Sequence, residues 1–123
     1  MSWQAYVDDQ LMGSGYLSAA AITGHDGGLR AKSSTFPEEI KAIMDGFTEP
    51  GLLYQNGVPL GGTKYLVVEA TSASIYGKKG AGGIIIRKTV NTIIIGIYNE
   101  NVSPGNSAMV VEKLGDYLEE NGY

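Results

Sequence analysis

Two isoleucine triplets, Ile84-Ile85-Ile86 and Ile93-Ile94-Ile95, constrain the fold of this chain more than any other feature. β-Branched residues in short runs favour extended backbone. Successive side chains of a strand point to opposite faces, so three apolar residues in a row need cover on both sides. Such strands belong in the middle of a sheet. The link Thr89-Val90-Asn91 is long enough only for a hairpin, so the pair is antiparallel. The triplets define strands from Gly83 to Lys88 and from Thr92 to Tyr98, and further strands are predicted at Lys64 to Ala70 and Ser74 to Tyr76. Two earlier ones, Tyr16 to Thr23 and Gly28 to Ser34, meet through the turn Gly24-His25-Asp26-Gly27.

The required cover comes from three predicted helices. Ser2 to Met12 carries an N-cap serine, an apolar side of Trp3, Tyr6, Val7 and Leu11, and a stop at Gly13 and Gly15. Phe36-Pro37 opens a second helix to about Phe47, with Ile40, Ile43, Met44 and Phe47 as its stripe. Pro104 to about Asn121 forms the third, capped by Ser103, with Val110, Val111, Leu114 and Leu118 as its buried side. Gly115 in its interior costs about 1 kcal/mol relative to alanine, which implies close approach to another element. The fold class is therefore α+β: one domain over residues 1–123, a central antiparallel sheet of about six strands, and helical cover on both faces. The N- and C-terminal helices are expected to pack together on one face.

Composition narrows the function classes. Hydrophobic residues are 43% and charged residues 18%, as in an ordinary globular protein. Cysteine is absent, which rules out disulfides and thiolate chemistry and suits a reducing compartment. The first residues lack the basic and apolar regions of a signal peptide, and a cytoplasmic protein is expected. The net charge of −4 disfavours nucleic acid, yet five of the nine basic residues (Lys64, Lys78, Lys79, Arg87 and Lys88) fall between positions 64 and 88.

Catalytic chemistry is hard to find. The single histidine, His25, stands beside Asp26 in the predicted hairpin turn, and one histidine without cysteine is a poor basis for a transition-metal site. The run Gly77-Lys78-Lys79-Gly80-Ala81-Gly82-Gly83 invites comparison with a phosphate cradle. A P-loop, however, needs its lysine after the glycines and a helix next. Here the lysines come first and an isoleucine-rich strand follows, so the run is read as a flexible loop. Neither catalysis nor a cofactor is expected, and an enzyme using this loop would carry bound nucleotide on purification.

Several segments together resemble the profilin family, in its plant-type and amoeboid form. They are Ser2-Trp3-Gln4-Ala5-Tyr6-Val7-Asp8, then Tyr76 to Ile84 through Arg87-Lys88-Thr89, then Gly96-Ile97-Tyr98-Asn99-Glu100. Pro104-Gly105 and Val111-Glu112-Lys113-Leu114-Gly115-Asp116-Tyr117-Leu118 complete the set. The resemblance covers essentially the whole chain in order. It implies a monomeric, cytoskeleton-associated protein that binds monomeric actin, holds proline-rich segments of filament-assembly factors and contacts phosphoinositides at a membrane surface.

By the same resemblance, proline-rich segments meet Trp3, Tyr6, Tyr117, Leu118 and Tyr123. Actin meets Lys64, Val67, Lys79, Arg87, Lys88, Gly105, Ala108, Met109 and Lys113. Phosphoinositides meet Lys78, Lys79, Arg87 and Lys88. The physical grounds are independent: a polyproline II helix docks on aromatic rings that also supply donors to its carbonyls. One departure stands out, since Arg30 occupies a position where many profilins have tryptophan. Its guanidinium can stack on Trp3 or Tyr6, and altered proline binding is expected. A small ligand- or lipid-sensing domain without actin binding shares the same element pattern; a polar-lined central cavity would favour it, a packed isoleucine core the profilin reading.

Overall fold

The structure, a computed structural model, describes residues 2–26, 28–36, 57–60, 63–71 and 73–123. Seven strands form one antiparallel sheet in the order β2-β1-β7-β6-β5-β4-β3. They are β1 (Ala19–Gly24), β2 (Leu29–Lys32), β3 (Val58–Leu60), β4 (Thr63–Ala70), β5 (Ser74–Lys79), β6 (Gly82–Lys88) and β7 (Thr92–Tyr98). The sheet expected with about six strands gains the short β3, which pairs with β4.

Both isoleucine triplets lie on adjacent inner strands, with Ile86 opposite Ile95. Alternation divides them between two cores. Ile84, Ile86, Ile93 and Ile95 pack with Tyr65, Ile75 and Phe36 on one face. Ile85 and Ile94 pack with Val7, Leu11, Val111, Leu114 and Leu118 on the other. Packed isoleucines thus occupy both sides of the sheet centre, as the profilin reading requires. The helix expected over Phe36 to Phe47 lies, from Pro37 onward, outside the described residues.

The chain's two ends cover the second face. Its opening helix changes pitch twice: an α-helical turn (Trp3–Ala5), a π-helical stretch (Tyr6–Leu11) and a 3₁₀ turn (Met12–Ser14), ended by Gly15 at φ 79°. Ser2 caps it as expected, its hydroxyl accepting from Ala5 N–H at 3.1 Å. The closing helix runs Pro104–Glu120. Ser103 holds its cap position without a side-chain hydrogen bond; its carbonyl accepts from Ser107 N–H at 3.2 Å instead. Gly96 on β7 lets this helix close on the sheet, because a Cβ there would meet Val111 Cγ2 at 2.8 Å and Leu17 Cδ2 at 2.9 Å.

The glycine-lysine run is no flexible loop. Gly77, Lys78 and Lys79 belong to β5, and Lys79 pairs with Gly82 across a two-residue turn, Gly80-Ala81. Gly80 at φ 60° supplies the left-handed first position of a type II′ hairpin, which closes the ladder that a phosphate would otherwise need open.

Candidate functional site

Four aromatic rings and one guanidinium gather where the opening and closing helices meet. Trp3 and Tyr6, one turn apart, have ring centroids 5.8 Å apart, tilted by 52°. Tyr123 meets Trp3 edge-on at 5.4 Å, and Tyr117 meets Tyr6 edge-on at 6.1 Å. The order Tyr123–Trp3–Tyr6–Tyr117 makes a continuous aromatic track. A cleft of ≈ 470 Å³ continues from it between the helices, lined by Tyr6, Gln10, Val110, Lys113, Leu114 and Tyr117.

Burial raises the Tyr6 hydroxyl above its ordinary pKa of 10.0, and the phenols of Tyr117 and Tyr123 push it further. Tyr6 is therefore a neutral donor at physiological pH. Leu118 is 0% exposed, so it supports the rings from beneath and is corrected from a contact residue to part of their floor.

Three elements outside the helices hold the track in place. Gln4 Nε2 donates to the Lys32 carbonyl at 3.0 Å, tying the opening helix to β2. The turn between β6 and β7 grips the last residue: Asn91 N–H donates to the main-chain oxygen of Tyr123, as does Thr89 Oγ1 at 2.9 Å. His25 completes this corner, with Nε2 at 2.8 Å from the Thr89 carbonyl, and so serves the turn as a surface residue. Finally, a bulge in β2 sets Arg30. Ile22 pairs with Ala31 and Thr23 with Leu29, so Arg30 has no partner across the strand. Bulges re-aim side chains, and the Arg30 guanidinium lies 5.8 Å from the Trp3 ring centroid.

The residues expected to meet actin do not form one face. Arg87, expected at that face, is drawn to the closing helix instead. Its side chain is 11% exposed and lies against the closing helix, with Nη2 donating to Asp116 and Glu119 at 3.0 Å each and Nη1 at 3.7 Å from Glu112. Burial alone would lower its pKa, but the Glu119 and Asp116 hydrogen bonds and the Glu112 charge hold it above the ordinary value. Lys113 turns to the aromatic cleft. Lys79 and Lys88 follow Ile75 and Ile86 by strand alternation, onto the face opposite the helices, and Val67 packs against the core of that face. Lys64 is exposed on β4.

The cations expected to meet a phosphoinositide also separate. Lys88 stands six positions along β6 from Gly82, the partner of Lys79, which is about 20 Å. With Arg87 committed to three carboxylates, these four residues do not form a single headgroup cradle.

A second surface was missed. Leu66 and Val68 on β4 are 68% and 65% exposed. A shallow cleft of ≈ 300 Å³ joins Val68, Glu69, Tyr76, Lys78 and Tyr98 to Pro104 at the start of the closing helix. Met109 is exposed further along that helix, Gly105 is exposed, and Ala108 packs against the core. The signal was present in Tyr65-Leu66-Val67-Val68. Apolar residues on both faces of a strand imply cover on both sides, and among the described residues none covers Leu66 and Val68.

An antiparallel sheet backed by its own terminal helices, with an aromatic track at one end and an apolar strand patch elsewhere, defines a module built for binding. The family model that matches the sequence is Profilin, over residues 1–123, and the chain belongs to the profilin family. Solved structures agree. Acanthamoeba castellanii profilin II is 45% identical, with a TM-score of 0.95 over 99% of this chain and 100% of that one. Schizosaccharomyces pombe profilin is 40% identical, with a TM-score of 0.94 over 99% and 100%. The fold extends to mouse profilin IIa in complex with a double repeat from the FH1 domain of mDia1, at 21% identity and a TM-score of 0.82 over 100% of both chains. It also extends to LokiProfilin2 with rabbit actin, at 20% identity and a TM-score of 0.71 over 94% of both.

Proposed function

We propose that this chain regulates actin filament assembly by holding an actin monomer on one surface and a proline-rich segment on another. The track of Trp3, Tyr6, Tyr117 and Tyr123 carries the proline assignment. A polyproline II helix offers ridged apolar rings and unpaired carbonyls, and this track offers aromatic faces with donors at the Trp3 indole and the neutral Tyr6 phenol. That solved relatives of this fold include complexes with an FH1 repeat and with actin supports both halves.

For actin, the geometry favours the patch of Leu66, Val68 and Lys78 with Pro104, Gly105 and Met109. Exposed apolar strand residues joined by a cleft to Pro104, with exposed Gly105 and the flexible Met109 following on the same helix, suit a close-packed interface centre. Lys78 and Lys64 add positive charge at its margin, in a chain of net charge −4, and such charge steers encounter more than it sets affinity. The packed isoleucine layers speak against the ligand-sensing alternative.

Trp3 is the only tryptophan, so its emission reports on the proline site directly. Titration with decaproline should give a saturable change in fluorescence. Emission that stays flat up to millimolar peptide would reject the assignment.

A further inference from the structure

We infer that Arg30 makes the aromatic track selective for proline-rich segments with acidic residues directly beside the proline run. This rests on the proline-binding reading above and adds the chemistry of the flanks. A proline run has no N–H groups and no charge. Rings can grip it, but only side chains at the ends of the track can read what precedes or follows it.

Cations flank the track. Beside Trp3, one ring in from Tyr123, the exposed Arg30 guanidinium lies over the indole at 5.8 Å from its centroid. A guanidinium over a ring face keeps its in-plane N–H donors for acceptors arriving from outside, and it binds carboxylates in a two-pronged fashion. Beyond Tyr117, exposed Lys113 lines the cleft that continues the track.

Among the described residues, no carboxylate forms an ion pair with Arg30 or Lys113. Glu112, Asp116 and Glu119 are drawn to Arg87 on the sheet-facing flank of the closing helix. Asp26 turns one oxygen to Gly28 N–H at 2.9 Å, and Asp8 accepts from the Gln4 amide at 3.0 Å. The β2 bulge that leaves Arg30 without a cross-strand partner aims it at Trp3.

The experiment compares three peptides by Trp3 fluorescence: decaproline, decaproline flanked by aspartate pairs, and decaproline flanked by lysine pairs. At low ionic strength the aspartate-flanked peptide should bind about two- to fivefold more tightly than decaproline, as for an exposed ion pair. High salt should shrink that ratio. In Arg30→Gln the ratio should fall toward one, whatever the substitution does to decaproline itself, and Arg30→Glu should shift preference to the lysine-flanked peptide. Equal affinities in the unsubstituted chain, or a ratio unchanged in both variants, would overturn the inference. If decaproline and both flanked peptides leave Trp3 silent, the proline reading beneath it fails instead.

Discussion

At the residue scale, Arg87 and Gly115 explain one another. A Cβ on Gly115 would sit 2.7 Å from Arg87 Cγ, so the helix tolerates its least favourable ordinary residue to let the arginine stem pass. The guanidinium then reaches three carboxylates on one helix flank. Those carboxylates are partly exposed, so the cluster is worth less than a buried network. Arg87→Ala should still destabilise the fold by about 1–2 kcal/mol, through lost stem packing and repulsion among the three acids. Thermal unfolding followed by circular dichroism checks this, and a midpoint lowered by several degrees is expected. Tyr6 gives a prediction of different sign. Its folded pKa lies above that of the unfolded chain, so its stabilising effect is complete below the unfolded pKa and fades as pH rises through the folded one. Decaproline affinity should be level from about pH 6 to 9 and decline only in the alkaline range where tyrosine ionises.

At the level of elements, the track depends on a hairpin turn as much as on two helices. Thr89 and Asn91 hold the Tyr123 main chain, and that ring meets Trp3. Thr89→Val removes the hydroxyl donor with little change in volume. The same hydroxyl also bonds Thr92 inside the turn, so the substitution should weaken decaproline binding by at least a few fold and lower the unfolding midpoint as well, while Thr89→Ser restores both. Isothermal titration of the three forms checks the pattern. None of this grip was legible in the sequence, because it joins residues more than thirty positions apart. Local patterns were legible: the isoleucine triplets announced inner strands, Ser2 announced its cap, and Gly115 announced a close contact. Arg30 stacking on Trp3 was anticipated from its chemistry, although the bulge that aims it was not. Charge patterns misled, since a cluster of cations in sequence is divided by strand alternation between two faces, with Arg87 held by three partly exposed acids of the closing helix. Likewise, glycines that suggested a loose loop instead make a tight hairpin, because Gly80 meets the backbone demand of that turn.

For the whole molecule, the two proposed surfaces share the closing helix but use different parts of it. Pro104 lines the strand-side cleft, and Tyr117 belongs to the aromatic track. One turn of helix rises 5.4 Å, so about three and a half turns separate these residues, and simultaneous binding is the expected outcome. Substitutions should then act selectively: Trp3→Ala abolishes the proline site, and Leu66→Asp with Val68→Asp abolishes the actin site. Both β4 side chains are largely solvent-exposed, so the double variant should fold normally. Immobilised polyproline, loaded with the chain and then with monomeric actin, reads both surfaces in one measurement. The unsubstituted chain should be retained and should carry actin with it; Trp3→Ala should leave both in the flow-through, and the Leu66/Val68 variant should be retained without actin. Actin that displaces the chain from the resin, or that still binds through the Leu66/Val68 variant, would contradict the two-surface account.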